Sequence, residues 1–252
     1  MSTNFFLASL SSSDRALLLP HLTLLNVRRG QALTTAGEPV QSIFFPINAA
    51  VSLVVSANDR PIEVAILGSD DVVNAGFALG VPGRHVSSAL VQNDGEVLAC
   101  EISKFENEIK SESLTIAFAQ AQQRLFDQSS LVAACATTHS LEARFARWLL
   151  RTHDTIGKNK LNFTQDQVAD LLGVSRTYLS KAIEQLRRRK IIKPGRGKLT
   201  ILNPEALSRR ACHCYELIRS LYERSGQSFL KESREAQSQF PSTIEVQPDP
   251  MD

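Results

Sequence analysis

Residues 164–189 constrain this chain most, because their capping and spacing signals divide them into two short helices around a glycine. Thr164 stands three residues before Gln167, the capping-box arrangement that opens a helix. Val168, Leu171 and Leu172 supply its inward face, and Gly173 ends it, since glycine adopts positive φ without a Cβ penalty. Ser175 then caps a second helix that runs to about Arg189. The product is a helix-turn-helix.

In the second helix Leu179, Ile183 and Leu186 recur at helical spacing and form the buried stripe. Arg176, Thr177, Ser180 and Lys181 fall off that stripe, in the first two turns. Such a helix suits the major groove of DNA, where its N-terminal residues approach base edges. Arg176 is the candidate for a bidentate contact to guanine, with Thr177 or Tyr178 making a weaker contact. Lys181, Arg187, Arg188 and Arg189 suit phosphates, while Thr164, Ser175 and Ser180 complete the candidate set. Each has a plainer reading: Ser175 as a cap alone, Tyr178 packed on its own domain, the arginines as a solvated helix end. Ile191-Ile192, the basic turn Lys193-Pro194-Gly195-Arg196-Gly197-Lys198, and Leu199-Thr200-Ile201 read as a two-stranded wing carrying Arg196 and Lys198.

Charge is segregated in the same sense. The net charge is +2 overall, but residues 1–137 carry −5, residues 138–224 carry +10 and the last 28 carry −3. A basic block beside an acidic one suggests a polyanion-binding module joined to something with another task.

Strand signals dominate up to about residue 110: IFFPI at 43–47, VSLVV at 51–55, PIEVAIL at 61–67, SSALVQ at 87–92 and EVLACEI at 96–102. Such strands fit a small barrel or a sandwich. A long helix is expected from Glu112 to Cys135, about 35 Å, with Leu114, Phe118, Ala121, Leu125, Gln128 and Val132 on one seam. The seam suits a parallel partner helix, with Gln128 setting register; packing on the chain's own barrel is the alternative. Thr138-His139-Ser140 breaks this helix, and Leu141–Arg151 resumes as an amphipathic one whose Trp148 reads as core. Asn203-Pro204 starts a further helix, to roughly residue 223.

Together, LNFTQDQVADLLGVSRTYLSKAIEQLRRRKIIKPGRGKLTI and the strand region with Gly30, Gly37 and the FFP turn at 44–46 resemble the cyclic AMP receptor protein and fumarate-nitrate regulator (Crp/Fnr) family of bacterial transcription factors. The resemblance implies an α+β fold: an N-terminal double-stranded β-helix (jelly-roll) sensor domain at 1–111, a dimerisation helix at 112–137 and a winged helix-turn-helix domain at 138–207. A C-terminal helix at 208–232 and a flexible tail at 233–252 follow. It implies roles in DNA contact for Ser175, Arg176 and Thr177. Double-stranded DNA and a second copy of the chain are the implied partners; RNA polymerase is admitted as a further one, and the effector is unknown.

The family's effector sites do not carry over. Where its nucleotide-binding members have Gly-Glu and Arg-Ser, this chain has Asn74-Ala75 and Val86-Ser87-Ser88, with Arg84 displaced. No cysteine precedes Cys100, against an N-terminal iron-sulfur cluster. Cyclic nucleotide and iron-sulfur cluster are therefore both disfavoured. Cys212 and Cys214 flank His213, but two thiols at i and i+2 do not share a helix face, so no metal site is expected. No stretch reaches the roughly 20 apolar residues of a membrane span, and a cytoplasmic protein is expected. Nucleophile–base pairs that would mark an enzyme are not evident. The competing reading is a small-molecule or protein-binding β-roll module without operator recognition.

Overall fold

The computed structural model describes residues 4–80, 83–107 and 109–226. In chain order the elements are α1 (Phe5–Ser9), α2 (Ser12–Leu18), β1 (Thr23–Val27), β2 (Ala32–Thr34), β3 (Ser42–Pro46), β4 (Val51–Ala57), β5 (Arg60–Leu67), β6 (Ser87–Val91), β7 (Gly95–Glu101), α3 (Ile102–Asn107) and α4 (Glu112–Thr138). There follow α5 (Leu141–Ile156), β8 (Lys160–Leu161), α6 (Gln165–Leu171), α7 (Arg176–Arg188), β9 (Ile192–Gly195), β10 (Lys198–Ile201), α8 (Pro204–Ser208) and α9 (Cys214–Gly226). The chain thus has an antiparallel β domain, a long helix and a C-terminal winged helix-turn-helix. It forms two compact units, one built on residues up to 51 and 67–125, the other on 52–66 and 126–221. The division falls inside α4, and the β4–β5 hairpin groups with the C-terminal unit.

In the first unit β7 lies between β1 and β3, antiparallel to both, with Leu98 opposite Leu24 on one side and Phe45 on the other. β2 pairs with β6. The strand signals of the sequence omit β1 and β2, because TLLNV does not alternate and ALT is too short to show alternation. The core gathers Phe6, Phe45, Phe105 and Phe118, with the Phe118 ring centroid 5.1 Å from that of Phe6 and 5.3 Å from that of Phe105. The buried Asp14 carboxylate accepts hydroxyl hydrogen bonds from Ser111 at 2.6 Å, Ser113 at 2.7 Å and Ser11 at 2.8 Å. Those hydroxyls, Ser111 foremost, hold its pKa below the usual carboxylate value.

In the second unit Ser140 caps α5, and Gly157, in the left-handed region at φ 69°, closes it. Trp148 is core, its ring 5.1 Å from Phe163 and stacked at 6.5 Å on Phe145. Glu63 of the hairpin accepts a hydrogen bond from Ser52 and lies in the field of the buried Arg147 and Arg151. Burial nevertheless pushes its carboxyl up to about 7, against the opposing pull of Ser52 and the two arginines.

The single helix expected from residue 204 is instead two. Asn203 caps α8 and Pro204 opens it, but the chain leaves helical geometry over 209–213, where the Cys212 N–H donates to the Ala143 carbonyl at 3.4 Å. Residues 227–252, holding the end of the expected C-terminal helix and the whole expected tail, lie outside the described residues.

Candidate nucleic-acid interface

The helix-turn-helix is built by the caps its sequence announces. Thr164 Oγ1 accepts from the Gln167 N–H at 3.2 Å, and Gln167 Oε1 accepts from the Thr164 N–H at 3.0 Å, a reciprocal capping box on α6. Gly173 sits at φ +66°, and a Cβ there would also meet Ile62 Cδ1 at 3.3 Å, so the turn has two reasons to be glycine. Ser175 Oγ accepts from the Tyr178 N–H at 3.2 Å and starts α7. A residue outside the sequence motif steadies the pair: Arg144 of α5 donates to the Leu172 carbonyl at 2.8 Å, satisfying an acceptor at the end of α6. Its partial burial lowers the Arg144 pKa.

Leu179, Ala182, Ile183 and Leu186 are buried, which fixes the rotation of α7 and turns Ser175, Arg176, Thr177, Tyr178 and Lys181 outward. Tyr178 is half-exposed, not packed back on the domain. Arg176 pairs with Asp166 of α6 at 3.2 Å, with both side chains largely exposed. An ion pair so exposed contributes at most about 1 kcal/mol; it holds the guanidinium at the start of the helix and yields readily to a stronger acceptor. Ser180 is partly buried, and its single hydroxyl proton can go either to the Arg176 carbonyl at 2.9 Å or to Gln165 Oε1 of α6 at 3.2 Å, the second of which braces the two helices.

The arginines at the end of α7 divide differently from the sequence expectation. Glu184 accepts from Arg187 at 2.6 Å and from Arg188 at 2.8 Å, and Arg189 pairs with Glu142 at 2.5 Å. The hydrogen bonds from Arg187 and Arg188 bring the Glu184 pKa down to about 2, so it stays ionised and competes with any phosphate for those two groups. Of the cationic side chains on α7 and the wing, Lys181, Lys193, Arg196 and Lys198 are exposed with no carboxylate partner among the described residues. Three of these four lie on the wing. That hairpin is antiparallel, with Lys198 opposite Gly195 and Ile201 opposite Ile192, and β10 also pairs with β8 through Leu199 and Leu161. Leu199 and Ile201 are buried, so the wing completes the domain core and also presents its cationic tip.

The stripe on α4 expected to face a partner is largely occupied within the chain. Leu114, Phe118 and Ala121 are buried in the first unit's core. Gln128 is buried, its Oε1 accepting from the Ile66 N–H at 3.2 Å, and Leu125 and Val132 are half-buried. The exposed large apolar side chains of α4 are Ile116 and Phe126, on another face. Where the resemblance would place a phosphate clamp, Asn74 stands at φ 67° and donates to Thr34 Oγ1 at 3.0 Å and the Ser42 carbonyl at 2.8 Å. Arg84 donates to the Gly37 carbonyl at 2.7 Å. Asn74 thus ties its turn to β2 and β3, and Arg84 ties its segment to the turn at Gly37. Among the described residues no helix is long and apolar enough to cross a membrane.

Residues 143–210 match the family model of the Crp-like helix-turn-helix domain, so this segment is a helix-turn-helix domain of that class. The fold of the chain is that of Crp/Fnr-type proteins. It superposes with a TM-score of 0.63 on a CRP-family transcriptional regulator of Thermus thermophilus, at 21% identity over 74% of this chain and 96% of that one. FixK2 of Bradyrhizobium japonicum gives 0.61 at 17% identity over 76% and 98%. The c-di-GMP responsive global regulator CLP of Xanthomonas campestris gives 0.62 at 14% identity over 76% and 99%. No curated protein matches the sequence.

Proposed function

We propose that this chain is a sequence-specific DNA-binding transcription regulator, acting as a homodimer on a pseudopalindromic site under the control of a signal yet to be identified. The observation that carries the reading is the start of α7. A Ser175-capped helix inside a Crp-like domain presents Arg176, Thr177, Tyr178 and Lys181 outward, with a cationic wing on the same domain. Arg176 reads a base edge, and Lys181, Lys193, Arg196 and Lys198 supply phosphate contacts, with Arg187 and Arg188 engaging when Glu184 releases them. Dimerisation is supported by the length of α4 and by Ile116 and Phe126 on its exposed face. Two copies would set two recognition helices about one helical turn of DNA apart.

Titration of a bound operator at several salt concentrations tests the wing. Each phosphate contact contributes about 0.9 to the slope of log affinity against log salt. Arg196→Ala should lower the slope by roughly that amount while leaving the preferred sequence unchanged; an unaltered slope contradicts the assignment.

A further inference from the structure

Four side chains that the DNA interface does not use converge at the two ends of the helix-turn-helix module. Cys135 lies in the last turn of α4 and His139 four residues on, and the His139 N–H donates to the Cys135 carbonyl at 3.2 Å. That spacing places both side chains on one face. Cys212 and Cys214 arrive from the segment after α8, 77 residues from Cys135 to Cys212. Because Cys212 precedes α9 and only Cys214 lies on it, the two thiols are not bound by the opposing faces of a single helix.

The geometry is close. Cys135 Sγ is 3.4 Å from Cys212 Sγ, and Cys214 Sγ is 3.7 Å from His139 Nδ1. One ligand atom from each of the four residues lies within 4.8 Å of all the others. A tetrahedral ion with bonds of about 2.0–2.3 Å holds its ligand atoms roughly 3.5–3.8 Å apart, so small adjustments complete the site. The three cysteines are buried and His139 is half-buried, as a closed structural site requires. We infer that Cys135, His139, Cys212 and Cys214 form a Cys3His site for one tetrahedral zinc-type ion, a clasp that ties the segment before the helix-turn-helix domain to the segment after it.

Three features favour this over cysteines packed as small apolar groups. An imidazole nitrogen turned among the thiols has no part in such packing. A disulfide between Cys135 and Cys212 would leave Cys214 and His139 without a role. Arg147, itself buried, lies beside Cys135, and its positive charge would offset the net −1 of a divalent ion on three thiolates. Soft thiolates with one imidazole select zinc among common divalent ions. A two-iron cluster divides its ligands between two metals, a wider spread than four mutually close ligand atoms provide.

The test uses the full chain, purified reduced and without oxygen. We expect about one zinc ion per chain by mass spectrometry of the metal content, and replacement by cobalt should give the intense visible bands of tetrahedral thiolate coordination. Zinc should protect three thiols, and not Cys100, from alkylation, with protection lost on chelation. Cys214→Ala and His139→Ala should weaken binding by more than the roughly 10–100-fold typical of losing an outer partner, whereas Arg176→Ala should bind the ion unchanged. If variants fail to fold, the cobalt spectrum and the alkylation pattern of the unaltered chain decide. Failure to bind zinc or cobalt stoichiometrically, cobalt bands without thiolate character, or equal alkylation of the three thiols with and without zinc would overturn the site.

Discussion

In α7 the apolar stripe of Leu179, Ile183 and Leu186 faces its own domain and leaves a polar, cationic face outward. In α4 a stripe of the same period, Leu114, Phe118 and Ala121, also faces its own unit, although its length suggests a partner helix. The comparison separates two things periodicity is asked to say. Spacing identifies which face of a helix is buried; what covers it depends on elements far away in sequence. For α7 the cover is local, and capping residues fix the surroundings. For α4 it includes Phe6, Phe45 and Phe105, drawn from three other elements.

The sharpest way to break this comparison is to cut one side chain from each face of α4. Phe118→Ala should destabilise the first unit by about 3–5 kcal/mol, the cost of emptying an aromatic site in a packed core. Phe126→Ala should change stability by about 0.5 kcal/mol or less and instead weaken self-association, read by sedimentation across a concentration series. The reverse pattern would mean that the Phe118 stripe is the partner face.

Glu63 extends the comparison to the hairpin. Its carboxyl is ordinary when unfolded and raised to about 7 when folded, so the folded state holds its proton more tightly. That stabilisation is complete below pH 4.5 and is lost as pH rises through about 7. It amounts to roughly 3 kcal/mol. Glu63→Gln should flatten this part of the stability–pH curve, measured by denaturant unfolding between pH 5 and 8 (roughly the window set by linkage). An equally steep curve would remove Glu63 as its source. A smaller effect is expected at the α6 cap, where Thr164→Ala should cost about 1 kcal/mol in the second unit and nothing in the first.

The helix-turn-helix is the most legible part of the chain. Thr164, Gly173 and Ser175 act on neighbours within three or four residues, so their roles are written locally. The wing was equally readable, since its two strands are separated only by Arg196 and Gly197. The break at 209–213 carries neither glycine nor proline; it is set by the tether to Ala143. The pairing of Arg187 and Arg188 with Glu184 is visible as helical spacing, yet spacing alone does not rank a neighbouring carboxylate above a phosphate. The cysteine–histidine cluster was hidden for a different reason: each half is unremarkable alone, and only folding joins Cys135 to Cys212, 77 residues on, and His139 to Cys214, 75 residues on.

Selection of bound sequences from a random DNA pool, with the unaltered chain and Arg176→Ala in parallel, tests the central claim most directly. The account predicts a two-fold symmetric site with half-sites about one helical turn apart, and relaxed preference at one base position per half-site in the variant. An unstructured pool from the unaltered chain, or the same motif with undiminished preference from Arg176→Ala, would contradict it.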